Sequence, residues 1–212
     1  AQDMAYSIAR GGLLYDKWYK IVGVEFDETH PSYPDDGKKS GADTWRCKEC
    51  HGWDYKGVNG AYASGSHFTG IKGVDGMAGA DPEAIIAVLK DDTHGIADMM
   101  EDEDFMDLAI FVSKGQLDTS KYIDAAAKAP IGGDIARGES VFNTVCARCH
   151  GLDGGRPKDM HKTLGKQMGN PWEVMHKIMN GHPGQRMPSL RVFGPETAVD
   201  VLTYLATLPK ER

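Results

Sequence analysis

The chain has 212 residues with 24 Lys+Arg against 31 Asp+Glu, and a formal charge of −7 argues against a nucleic-acid partner. Its apolar fraction is 41%, and no run of about 18 apolar residues occurs, so no membrane-spanning helix is expected. The length allows one or two domains, and charge divides unevenly between halves: residues 1–120 hold 11 Lys+Arg against 22 Asp+Glu, and residues 121–212 hold 13 against 9. Such a split suits two docking surfaces of opposite sign, and equally suits two halves that attract each other.

From Ala5 to Val22, Ile8, Leu14, Tyr15 and Trp18 recur at helical spacing, interrupted by Gly11-Gly12. Residues 19–46, with Pro31 and Pro34, read as an irregular loop inserted before the first motif. That motif is Cys47-Lys48-Glu49-Cys50-His51, a C-x-x-C-H. Two thiols at this spacing can each add to a vinyl group of one haem, and the next residue then supplies an iron ligand. A structural zinc site would want four ligands, and a thioredoxin-like pair would want a βαβ setting; neither is present in the sequence. Trp45 and Trp53 flank the motif and are expected against the porphyrin. His67 follows in a Gly-rich stretch that reaches Gly76, as a structural hydrogen-bonding residue.

Asp81-Pro82-Glu83 opens a helix, with Asp as N-cap and Pro at the first helical position. Phe105, Leu108, Ala109 and Val112 mark a core-facing helix from Asp102 to Val112. Residues 121–133 read as a linker. The plan then repeats: a helix from Asp134, Cys146-Ala147-Arg148-Cys149-His150, a Gly-rich loop, a helix near Pro171 to Met179, and a last helix from Pro195 to Leu208. Ile8-Ala9-Arg10-Gly11 through Tyr15 aligns with Ile135-Ala136-Arg137-Gly138 through Phe142, so the chain reads as an internal duplication. The two motifs use all four cysteines, and Arg148 is a candidate partner for a haem propionate. His30, His161, His176 and His182 read as surface or loop residues.

A Gly-containing helix with an aromatic four residues on, then C-x-x-C-H, Met-Pro and an amphipathic helix bearing an aromatic, resembles the class I c-type cytochrome domain. Gly138, Phe142, Cys146, Cys149, His150, Met187, Pro188 and Tyr204 carry the resemblance in the second half. Gly11, Tyr15, Cys47, Cys50, His51 and Phe111 carry it in the first. The resemblance implies an all-α fold of two tandem domains, 1–120 and 134–212, each wrapped around one covalent haem c, on a plan similar to cytochrome c4. It also implies that first and last helices cross through the glycines and aromatics, and that Met187 is the second iron's distal ligand.

For the first haem, Met99 stands five residues after His94, as Met187 stands five after His182. An ungapped alignment of the final helices, however, sets Phe111 opposite Tyr204 and His94 opposite Met187. The helix register is the stronger guide, so His51/His94 is expected, with Met99 or Met100 as the competing ligand. Imidazole in place of thioether makes the first haem the lower in potential.

The expected function is single-electron transfer between a redox donor and a redox acceptor, without enzymatic turnover. The alternative is a haem oxidoreductase acting on a small inorganic substrate, peroxidase-like or a sulfur-compound dehydrogenase. That reading needs an open sixth position, whereas both irons have a candidate ligand. Haem c is attached outside the cytoplasm, and the chain begins Ala1-Gln2-Asp3, as after removal of a signal peptide, so a periplasmic location is expected.

Overall fold

The computed structural model describes residues 3–158 and 160–212. Ala1 and Gln2, on which the reading of a removed leader rests, lie outside the described residues. The described chain is mostly helical, with one two-stranded hairpin, and separates into two compact units. Unit 1 comprises residues up to Leu117 together with Asn180–Pro188; unit 2 comprises Asp118–Met179 and Ser189–Arg212. No helix among the described residues is long and apolar enough to cross a membrane.

Unit 1 is built on α1 (Met4–Val22) and α4 (Asp102–Ile110). Asp3 caps α1 by accepting the Ala5 N–H, and Gly23, at φ 81°, closes it by donating to the Tyr19 carbonyl. The helix passes through Gly11-Gly12, breaks helical geometry only at Lys17, and ends at Val22, four residues into the stretch expected as loop. A Cβ on Gly11 would stand 2.1 Å from the Asp107 carbonyl oxygen and 2.5 Å from the Phe111 Cβ, so only glycine lets the two helices cross this closely. Leu14, Tyr15, Trp18, Phe105, Leu108 and Phe111 fill the contact. Asp107 is fully buried and Arg10 donates to its Oδ2 at 2.9 Å, with a further bond to Asp104, so the buried charge is matched. A π turn over Phe111–Gly115 prolongs α4. Between the two lie α2 (Cys47–His51) and α3 (Pro82–Leu89), the latter capped by Asp81 with Pro at its start.

In unit 2 the segment expected as linker carries the strands β1 (Ile123–Asp124) and β2 (Ala129–Pro130), paired antiparallel. Then come α5 (Ile135–Val141), a π turn over Phe142–Cys146, α6 (Ala147–His150), α7 (Leu164–Gln167), α8 (Pro171–Asn180) and α9 (Gly194–Leu205). The α1–α4 crossing recurs here. A Cβ on Gly138 would stand 2.0 Å from the Asp200 carbonyl oxygen, and Phe142 meets Tyr204 at 5.3 Å between ring centroids. Arg137 grips Asp200 through Nε at 2.8 Å and Nη2 at 3.1 Å, as Arg10 grips Asp107. The duplication read from Ile-Ala-Arg-Gly is therefore a duplication of one helix crossing and its ion pair.

Candidate haem sites

Each C-x-x-C-H motif lies on a short helix that a left-handed glycine ends. Gly52 has φ 81° and donates to the Lys48 carbonyl, and Gly151 has φ 74° and donates to the Ala147 carbonyl. In both copies the glycine packs over an aspartate two residues on: a Cβ there would meet Asp54 Oδ1 at 2.7 Å, or Asp153 Oδ1 at 2.8 Å. The histidine carbonyls accept from Gly57 N at 2.8 Å and from Arg156 N at 2.9 Å. The conformation of the motif is thus written into the five residues C-H-G-x-D, a local pattern that reading C-x-x-C-H alone left unused. In unit 1 the buried Tyr15 hydroxyl donates to the Gly52 carbonyl at 2.6 Å and ties α1 to the turn.

The histidines are oriented alike. His51 Nδ1 lies 2.7 Å from the Lys72 carbonyl, and His150 Nδ1 lies 3.1 Å from the Arg156 carbonyl. A carbonyl oxygen can only accept, so in each ring Nδ1 carries the proton and Nε2 keeps its lone pair for a metal. Burial lowers the pKa of His51 and favours this neutral form. His94 Nδ1 faces Asp91 Oδ1 at 2.9 Å, and that hydrogen bond holds the Asp91 carboxyl below its ordinary range. His94 is thus anchored through Nδ1, which leaves Nε2 as the nitrogen on the other side of its ring.

The structure brings His51 and His94 together, with ring centroids 6.4 Å apart and ring planes inclined by 34°. Two imidazoles bound at about 2 Å through nitrogen on opposite sides of one metal place their centroids roughly 6 Å apart. Met99 and Met100 pack instead against the hydrophobic core of unit 1. No group of three or more His, Cys, Asp or Glu side chains among the described residues could hold a bare metal ion, so these donors fit a macrocycle with two axial ligands better than a zinc cage. Burial pushes the Cys47 and Cys50 thiols up to about 12, and that of Cys146 to about 11; none is tuned as a thiolate nucleophile.

The other sequence-derived site residues divide. Trp53 is buried beside the motif, with the Lys48 ammonium 5.4 Å and the Arg46 guanidinium 5.8 Å from its ring. Trp45 stacks on Phe26 at 4.0 Å and donates its indole N–H to the Glu28 carbonyl, so its ring serves the insertion. Arg148 is exposed on α6. Met187 stands in the 180–188 segment that clusters with unit 1, whereas His150 belongs to unit 2. His176, expected at the surface, is buried at 2% exposure because its helix α8 turns that side inward.

Sequence reasoning missed two features of the first site. Lys48 and Glu49, inside the motif, are both buried: Lys48 Nζ donates to Glu49 Oε2 at 2.5 Å and His67 Nδ1 to Glu49 Oε1 at 2.7 Å. Burial alone would raise the Glu49 pKa, yet the bonds from His67 and Lys48 outweigh it and hold the carboxylate at about 2. The second is His30, which reaches the backbone of His94.

Residues 133–205 match the protein family described as cytochrome C oxidase, cbb3-type, subunit III. The match spans about a third of the chain and contains α5, the second C-x-x-C-H motif, Met187 and the whole of α9. It supports a c-type cytochrome domain over these residues, with haem c as its cofactor and electron transfer as its activity. No curated protein matches the chain.

Proposed function

We propose that this chain is a di-haem c-type electron carrier of two tandem class I domains. Cys47 and Cys50 would hold the first haem covalently, with His51 and His94 on its iron; Cys146 and Cys149 would hold the second, with His150 and Met187 on its iron. The observation that carries the reading is the 6.4 Å spacing of the His51 and His94 rings, each anchored through Nδ1. The match over 133–205 supports the second haem, and the repeated helix crossing supports the same plan in the first unit.

Bound haem c supplies one-electron exchange between ferric and ferrous iron. The chain would supply the rest: His51 and His94 would hold the first iron and keep water and substrates off it, which suits transfer rather than turnover. Imidazole ligation makes the first haem the lower in potential, and thioether ligation makes the second the higher. The acidic first half would meet a basic redox partner and the basic second half an acidic one. Haem c is attached outside the cytoplasm, which supports a periplasmic location.

Low-temperature EPR of the oxidised holoprotein tests the ligation. His94→Ala is expected to convert one haem to a high-spin form, while Met99→Ala leaves both low-spin. The reverse outcome would overturn the His51/His94 assignment.

A further inference from the structure

The insertion between α1 and the first motif has no counterpart in the second half, where α5 runs through its π turn straight into α6. His30 Nδ1 accepts the Ser32 N–H at 3.0 Å, so that nitrogen carries no proton, and the ring proton therefore sits on Nε2. Nε2 lies 2.9 Å from the His94 carbonyl oxygen, to which it must donate. Two residues on, the Ser32 hydroxyl donates to the Thr93 carbonyl at 2.7 Å. Successive carbonyls of the loop that bears His94 are thus held from one short piece of the insertion.

That piece is itself fixed. The buried Thr44 hydroxyl accepts the His30 N–H at 2.9 Å and donates to Gly41 O at 2.6 Å. The His30 ring meets Trp45 edge-on at 4.3 Å, and the Trp18 indole N–H donates to the Trp45 carbonyl at 2.7 Å, which fastens the assembly to α1. Trp45 is followed by Arg46 and then Cys47. One segment therefore reaches both sides of the first site, gripping the His94 loop at one end and leading into the covalent attachment at the other.

We infer that the insertion is a clamp on the distal side of the first haem, with His30 and Ser32 as positioning residues that hold His94 at its ligating distance from His51. The inference rests on His94 as the distal ligand. With the clamp in place, His94 is slow to leave the iron, and external ligands are excluded. A hydrogen bond worth about 0.5–1.5 kcal/mol changes a local opening equilibrium by up to roughly tenfold.

The test is carbon monoxide capture by the reduced, full-length holoprotein, with haem content and far-UV circular dichroism as controls. His94→Ala first defines the CO-binding component that belongs to this haem. His30→Ala and Ser32→Ala should each raise the rate of that component several-fold to about tenfold, and the double variant should exceed either. His30→Gln, whose side-chain amide can still donate, should restore most of the slow rate. Should His30→Ala fail to retain haem, Ser32→Ala carries the test, since its hydroxyl is exposed and its bond separate. An unchanged rate in the clamp variants, with His94→Ala binding CO freely, overturns the clamp. No new CO component in His94→Ala overturns the ligand assignment, and the clamp with it.

Discussion

Replacing Gly138 by Ala tests whether the second unit depends on the same helix crossing as the first. The added Cβ would stand 2.0 Å from the Asp200 carbonyl oxygen, 2.6 Å from its carbon and 3.0 Å from the Tyr204 Cβ. Carbon contacts are comfortable at about 3.5 Å, so α5 and α9 must part by roughly 1–1.5 Å, and both obstacles nearest the new carbon are backbone, which has no rotamer to escape into. Parting them loosens the Phe142–Tyr204 contact and stretches the Arg137–Asp200 bonds. Overpacking of this kind costs about 3–4 kcal/mol at its upper end, against about 1 kcal/mol gained from better helix propensity, for a net loss of about 2–3 kcal/mol. Hydrogen exchange read by mass spectrometry on the holoprotein should show the protection of α5 and α9 amides falling about 30- to 100-fold, with α1 and α4 retaining theirs. Gly11→Ala should give the converse pattern, since its Cβ would meet Asp107 O at 2.1 Å. Gly76→Ala, with nothing within 4 Å of the new carbon, is the neutral control. A Gly138→Ala protein within about 0.5 kcal/mol of the parent would refute the reasoning.

Other consequences are open to measurement. Met187→His should lower the potential of the second haem by about 0.1–0.3 V and leave the first unchanged, and an unmoved potential in a redox titration would remove Met187 from the iron. Electron exchange of unit 1 with a basic redox protein should slow as salt rises, because exposed charges are screened beyond about 8–10 Å; salt-independent exchange would leave attraction within the molecule as the reading of the charge split. The Arg137 bond holds Asp200 below its ordinary pKa, so the unfolded chain binds more protons in acid; this contribution is complete above about pH 5 and is lost as pH falls through the lowered value. Asp200→Asn should therefore flatten the acid limb of unit 2 stability, and a parallel limb in parent and variant would contradict the linkage.

Several features were legible in the sequence because their causes are local. C-x-x-C-H specifies its chemistry within five residues, Asp81-Pro82 caps a helix from adjacent positions, and Gly11 and Gly138 stand at equivalent places because a helix crossing admits no side chain there. The ungapped helix register rested on the same packing constraint and placed Phe111 and Tyr204 at the two crossings, where each sits against its glycine. The tertiary structure alone set His30 on the His94 backbone, and buried Lys48 and Glu49 together with His67. It also stacked Trp45 on Phe26 of the insertion, and clustered residues 180–188 with the first unit. These contacts join loop residues far apart in the chain. Loops carry no periodic pattern that would record a partner, and closing a longer loop costs little more than closing a short one, so the sequence proposes the ligands while only the fold decides which of them meet.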